Sequence, residues 1–389
     1  MMRINMRMIR IAVFLTSVFT TVLAAEGLMR IEKQRNKIIE TRGCRRQSQR
    51  YHHELVPNTI CRSRYPEWDT TFRVNSLGFR DDEISREKPE GVFRILLIGD
   101  SFVEGEGVES EQIGANVLER QLSKKFEKSV EVVNMGVMSY SPIIYQRVIE
   151  DKGLPLDPDL VIVAVDMSDF QNDYSYAKDL DESGNFRNIL FQQKMGQPHV
   201  VLPGVNAGIK FWLRSHSVLY SEVADRTKQL IRKMRHIPEP TIFKINDPAS
   251  DPHFATRSED NVHREEMWHP FGNSLIAINK LMEKAKVPWI AVTYPYGHQV
   301  RGDEWSKGRL KNGFESARVY LMTAADLLVS FGKDNGFRVI NLAPVFQKEA
   351  EYQSNLLYYP MDGHFTPLGH KVFAEALKEE ISDYITHDR

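Results

Sequence analysis

The chain has 389 residues, enough for one enlarged domain or two smaller ones. Lys+Arg total 51 against Asp+Glu 52, a net charge of −1, which excludes the basic excess typical of a nucleic-acid-binding domain. With 42% hydrophobic and 26% charged residues, the composition is that of a globular protein rather than a disordered one.

The first fifty residues depart from this balance, with Arg and Lys clearly outnumbering acids. An apolar run from Ile11 to Ala25 follows Arg3, Arg7 and Arg10 and ends in small residues. A basic stretch, an apolar stretch and a small-residue end describe a secretory signal. The run is short for a bilayer span, which takes roughly 20 apolar residues. Two outcomes stay open for residues 1–25: cleavage after Ala24 or Ala25, or an uncleaved N-terminal membrane anchor. Basic residues after Glu26 (Arg30, Lys33, Arg35, Lys37) weaken the charge asymmetry that would set orientation. A helix buried in a soluble protein is the plainer alternative, but nothing before the run is available to cover it.

Residues 26–92 read as a polar, irregular extension, with a helix at about 26–39 and a turn-like stretch from Phe72 to Asp82. The only two cysteines, Cys44 and Cys61, lie here. In an exported protein such a pair reads as one disulfide; free thiols are the alternative, and two cysteines make a poor zinc site.

From residue 93 the pattern becomes regular. Phe93–Gly99 is a nearly continuous apolar run, as expected of a parallel strand buried on both faces. A helix follows over 110–126, a strand over 130–136, a helix over 142–152 with Pro142 in its first turn, and a strand over 159–165. Regularity lapses over about 173–266, apart from a helix at 218–236, and this segment reads as an insertion within a domain spanning 93–389. Alternation then resumes: helix 272–286, strand 289–293, helix 315–331, strand 337–342 and helix 367–385. The fold class is α/β, a parallel sheet with helices on both faces and a long insertion after the third strand.

In open parallel sheets, ligands bind beyond the carboxyl ends of the strands. The first strand ends in Gly99-Asp100-Ser101, the second in Asn134-Met135-Gly136, the third in Asp166-Met167-Ser168-Asp169, and the loop before the last helix holds Asp362-Gly363-His364. A serine hydroxyl needs a base to take its proton, and the imidazole needs a carboxylate at its other nitrogen. Residues i and i+2 of an extended segment share a side, so Asp362 and His364 suit that contact. Thr366 and Pro367 fit the N-cap and first position of the closing helix. Each motif alone is more often a turn or a cap; both together at opposite ends of the chain favour Ser101, His364 and Asp362 as a catalytic triad. His370 falls inside the helix and reads as structural.

These motifs resemble the SGNH (GDSL-type) hydrolase superfamily, in particular its membrane-anchored bacterial members. Arg94-Ile-Leu-Leu-Ile-Gly-Asp-Ser-Phe-Val-Glu-Gly105 is similar to the family's first block, with Ser101 as nucleophile; Val74–Asp81 resembles a lead-in of anchored relatives. Gly136 corresponds to the second-block glycine, and His364 precedes Gly369 by five residues, as in the family's last block. The resemblance implies a three-layer α/β/α sandwich with a flavodoxin-like sheet, and a Ser-His-Asp triad working through an acyl-enzyme without cofactor or metal.

Two departures stand out. The last block is Asp-x-His where the family usually has Asp-x-x-His. Aligning the third strand puts Asp166-Met-Ser-Asp169 where Gly-x-Asn-Asp is usual, so Ser168 replaces the oxyanion Asn. The oxyanion hole then comprises Ser101, Gly136 and Ser168 or Asn172. His253, His263 and His269 match no metal-ligand spacing and read as surface loop.

The resulting expectation is an esterase or O-acyltransferase outside the cytoplasmic membrane, held there by its N-terminal segment or secreted if that segment is cleaved. Its substrate would be an acyl ester, such as an acylated polysaccharide or a lipid. The alternative is a non-catalytic glycan- or assembly-binding protein that retains the fold.

Overall fold

The structure, a computed structural model, describes residues 14, 16–28, 38–187, 219, 220, 223, 227 and 244–386. Contacts divide the chain into two units, Met1–Ile39 with Gly196–Pro240 and Glu40–Met195 with Thr241–Arg389. In the first unit residues 16–28 are helical, and Val18, Phe19, Val22 and Leu23 are exposed. Among the described residues no helix is long and apolar enough to cross a membrane. Most of the helix expected at 218–236 lies outside the described residues.

The second unit begins with strands, where the sequence reads as irregular. β1 (Arg45–Ser48) pairs antiparallel with β2 (His52–Leu55), and β3 (Thr59–Tyr65) pairs antiparallel with β4 (Trp68–Val74). Burial alternates along β4: Trp68, Thr70, Phe72 and Val74 are buried, while Asp69, Thr71 and Arg73 are exposed. That period-2 pattern is a half-buried strand, short enough to be lost among polar neighbours. Cys44 and Cys61 form a disulfide, with Cα atoms 6.0 Å apart, tying β3 to the segment before β1. The stretch expected as helix to residue 39 ends in a strand, Ile38–Glu40.

The central sheet has five parallel strands: β5 (Phe93–Ile98), β6 (Val130–Asn134), β7 (Leu160–Val165), β8 (Trp289–Thr293) and β9 (Val339–Asn341). Their spatial order is β6-β5-β7-β8-β9. This is the flavodoxin-like 2-1-3-4-5 arrangement, whose switch point lies between the first and third strands, here β5 and β7. Every residue of β5 and β7 is buried, as the Val, Ile and Leu runs require of strands covered on both faces.

Helices complete the sandwich. α1 (Ser101–Glu104) leaves the end of β5, and α2 (Gly114–Phe126) packs against the C-terminal helix. α3 (Pro142–Val148) and α4 (Asp169–Asp179) pack against α5 (Glu265–Ala285). α6 (Thr323–Asp334), α7 (Ala343–Tyr352) and α8 (Pro367–Thr386) close the chain.

Two helix starts differ most from expectation, each for a packing reason. α5 starts at Glu265 and runs through Pro270, because Met267 and Phe271 are buried on one face and Phe271 stacks on Phe170 at 3.9 Å. That burial offsets the backbone bond lost at proline. The helix expected over 315–331 begins only at Thr323. The preceding loop is held by buried Arg309, whose guanidinium donates to the carbonyls of Gly302 (2.6 Å), Arg318 (3.2 Å) and Arg301 (3.2 Å). A side chain thus takes the Arg318 carbonyl, an acceptor that a helix over 315–331 would pair with its own backbone.

Candidate active site

α1 presents Ser101 at the switch point. Asp100 caps it by accepting the Phe102 N–H at 2.9 Å, and Gly105 ends it in the left-handed region at φ 88°. Ser101 is 7% exposed. At the other end of the chain Thr366 accepts the Gly369 N–H at 3.2 Å, fixing the start of α8 and with it the preceding loop.

That loop brings His364 Nε2 to 2.7 Å from Ser101 Oγ, while His364 Nδ1 is hydrogen-bonded to Asp362 Oδ1. Asp362 Oδ1 also accepts the His364 N–H at 3.1 Å. The structure therefore brings Ser101, His364 and Asp362 together in the order a nucleophile, a base and its orienting carboxylate require.

Burial alone would lower the His364 pKa. The Asp362 charge and hydrogen bond, with Glu106 behind them, more than reverse this and raise it to about 9. Asp100 moves well above the usual carboxylate value, first through burial and then through the neighbouring Asp166 charge. Tyr294 Oη donates to Asp100 Oδ1 at 3.3 Å, and Ser101 Oγ lies 3.3 Å from Asp100 Oδ2.

The expected oxyanion donors are arranged differently. The Gly136 N–H donates to Asn134 Oδ1 at 3.0 Å, and Gly136 does not line the cleft beside Ser101. A Cβ there would sit 2.3 Å from Glu104 N and 2.6 Å from Val103 C, so this glycine permits the close approach of the β6 loop to α1. Ser168 does line the cleft, but its N–H and Oγ both donate to Asp166 Oδ1 at 2.7 Å. Asp166 further accepts the Asp169 N–H at 3.2 Å and the Tyr296 hydroxyl at 2.9 Å. Asn172 lies in α4, its N–H bonded to Ser168 O at 2.9 Å, and is not among the cleft residues.

Several contributors carry no motif. Glu67, in the turn between β3 and β4, accepts the N–H groups of Met361 and Asp362, both at 2.9 Å. Ser63 Oγ donates to Glu106 Oε1, and Trp68 Nε1 donates to Ser63 Oγ at 3.1 Å. Arg45 pairs with Glu104 of α1, and both side chains are almost wholly buried. The polar extension thus braces both the helix that bears Ser101 and the loop that bears Asp362 and His364, through contacts that no local spacing announces.

Of the histidines weighed for metal, His253 stands in the cleft, whereas His263 and His269 are exposed. His370 is buried in α8 and accepts the Gly114 N–H on Nδ1 at 3.2 Å.

The sequence matches no protein-family model and no curated protein. Similar solved structures include a lipolytic protein of the G-D-S-L family from Desulfitobacterium hafniense DCB-2, at 13% identity and TM-score 0.36, covering 74% of this chain and 98% of that one. The acetyl xylan esterase AlAXEase is similar at 12% identity and TM-score 0.37, covering 74% of this chain and 100% of that one. A two-domain esterase active on acetylated mannans matches at 12% identity and TM-score 0.37, over 77% of this chain and 51% of that one. At this level the likeness bears on neither the activity nor the substrate of this chain.

Proposed function

We propose that this protein is a serine ester hydrolase of the SGNH type, with Ser101 as nucleophile, His364 as general base and acid, and Asp362 as its orienting carboxylate. The observation that carries this is the 2.7 Å approach of His364 Nε2 to Ser101 Oγ, with Asp362 on the opposite ring nitrogen. Neutral His364 takes the Ser101 proton as Oγ attacks the ester carbonyl. The tetrahedral intermediate collapses to an acyl-Ser101, and His364 passes the proton to the leaving alcohol. Water, deprotonated by His364, then releases the acid; a sugar hydroxyl in place of water would make the same site a transferase.

The same reading places the protein outside the cytoplasmic membrane, acting on O-acyl groups such as those of acylated glycans or lipids. The Cys44–Cys61 disulfide supports an oxidising compartment, and the exposed Val18, Phe19, Val22 and Leu23 support membrane association.

One observation favours a second reading, a glycan- or assembly-binding protein that retains the fold. The Gly136 N–H and both Ser168 donors are taken by protein acceptors. An oxyanion donor is worth roughly a hundred- to thousand-fold in rate, so losing several would leave little turnover. Treatment with a fluorophosphonate separates the two: an enzyme acquires an adduct on Ser101 that Ser101→Ala lacks. Intact mass unchanged after prolonged exposure would overturn the enzyme reading and leave the binding protein as the alternative.

A further inference from the structure

The cleft beside Ser101 is small and half-open, with Pro252 and His253, between β7 and β8, on one wall. Its volume is about 130 Å³, roughly four waters at about 30 Å³ each. Asp100, Asp166 and Ser168 line it beneath Ser101, while Pro252, His253, Tyr296 and Trp305 stand around it. The His253 ring lies 5.2 Å from that of Tyr296 and 5.0 Å from that of Trp305, so it packs against two aromatic rings at the cleft.

Each wall is braced from behind. Asp251, fully buried, accepts the Asn246 N–H at 2.7 Å and the His253 N–H at 3.0 Å, and pairs with Arg257. Arg257 in turn donates to Asn312 O at 2.9 Å, and Gln171 of α4 donates to Ala249 O at 2.9 Å. Trp305 is held by its neighbours: Nε1 donates to Met361 O at 3.3 Å, and a Cβ at Gly308 would fall 1.8 Å from Nε1. Packed aromatic walls with such backing do not give way to a longer chain without strain.

The chemistry of the lining is equally restrictive. It holds three carboxyl groups, those of Asp100, Asp166 and Asp362, and neither Lys nor Arg. Burial lowers the His253 pKa to about 4, so its ring is neutral at ordinary pH. The one cation of the lining, His364, is already paired with Asp362, so an acyl group carrying its own carboxylate would enter beside Asp100 and Asp166 with no counter-charge left to meet it, a costly arrangement.

We propose that this cleft is an acyl pocket selective for short, uncharged acyl groups of about two to four carbons, with Pro252, His253 and Trp305 setting the length limit. This rests on the ester-hydrolase reading and adds to it the residues that choose the substrate. An insertion with no motif of its own thereby acquires a role: the segment around 251–257 carries the wall that separates an acetyl from a fatty acyl chain.

The test is a chain-length series of 4-nitrophenyl esters (acetate, butyrate, octanoate) and the succinate half-ester, on wild type, His253→Ala and Pro252→Ala. Fluorophosphonate labelling of Ser101 is followed in the same samples. Wild type should favour acetate over octanoate in kcat/KM by at least about tenfold, the discrimination a few misfit methylenes impose. Succinate should turn over at least about tenfold more slowly than butyrate. His253→Ala should narrow the acetate-to-octanoate ratio several-fold. Octanoate turned over by wild type as well as acetate, or a ratio unmoved in both variants, overturns the pocket while leaving the esterase intact. Absence of both turnover and a Ser101 adduct overturns the esterase reading, and with it the pocket.

Discussion

Glu67 and Asp362 are joined across 295 positions of sequence, the Glu67 carboxylate accepting the Asp362 N–H at 2.9 Å through one oxygen and the Met361 N–H at 2.9 Å through the other. The turn between β3 and β4 therefore holds the backbone from which the orienting carboxylate of His364 projects. Glu67→Ala should lower kcat about ten- to a hundredfold with little change in KM, because the loss falls on triad alignment rather than on substrate contact. Glu67→Gln, which keeps one acceptor oxygen, should fall between. Steady-state kinetics on a short-chain ester checks both; equal loss in the two variants would mean that the bidentate contact is irrelevant.

The raised pKa of His364 sets the pH dependence. General-base attack needs the neutral ring, so kcat/KM should climb as pH rises through about 9 and level off above it. Asp362→Asn removes the charge that raises the pKa and should move the limb toward the ordinary histidine range while cutting the rate. For stability the sign is opposite. A folded pKa above the unfolded value of about 6.5 means that the His364–Asp362 pair stabilises fully below pH 6.5 and less as pH passes through about 9. Rate and melting temperature measured against pH on one preparation should thus diverge.

The disulfide between Cys44 and Cys61, 17 residues apart, closes a loop for which chain entropy gives about 3 kcal/mol. Cys61→Ser, or reduction, should lower unfolding free energy by that order in a denaturant titration. Activity should fall alongside, since β3 carries Ser63 to Glu106 and leads to the turn bearing Glu67. Full activity in the reduced protein would separate the hairpin from the site.

Gly136 owes its identity to packing rather than to a free donor. Gly136→Ala would press a methyl against the backbone of Val103 and Glu104 in α1, and should cost about 1–3 kcal/mol of stability. Because α1 carries Ser101, fluorophosphonate labelling should slow as well. Thermal melts and labelling rates on the same variant would show whether the two effects travel together.

Much of the fold was legible locally. The five sheet strands announce themselves as short Val, Ile and Leu runs, and the order of strands and helices follows from their alternation. Pro367 and Thr366 mark the start of α8 because capping is a property of adjacent residues. The strands of the extension were less visible: β4 alternates perfectly in burial, but Thr70 and Thr71 blur the contrast between its inner and outer positions. The start of the segment 315–331 reads as helical because nothing in its own residues reveals that the buried Arg309 guanidinium takes the Arg318 carbonyl along with those of Gly302 and Arg301.

By itself the sequence determined the nucleophile candidate Ser101 at the end of the first sheet strand and the Asp362–His364 pair in the loop before the closing helix, since each is encoded by residues within a few positions of one another. Only the tertiary structure decided that Asp166 occupies the donors of Ser168, that Asn134 occupies that of Gly136, that Glu67 holds the Asp362 loop, and that His253 and Trp305 line the cleft. The Glu67–Asp362 contact and the walls of the cleft join segments tens to hundreds of residues apart, whereas the Asp166–Ser168 and Asn134–Gly136 bonds join residues two apart whose turn geometry is set by the surrounding fold. Their strength depends on burial and geometry that exist only once the sheet has brought its carboxyl ends together.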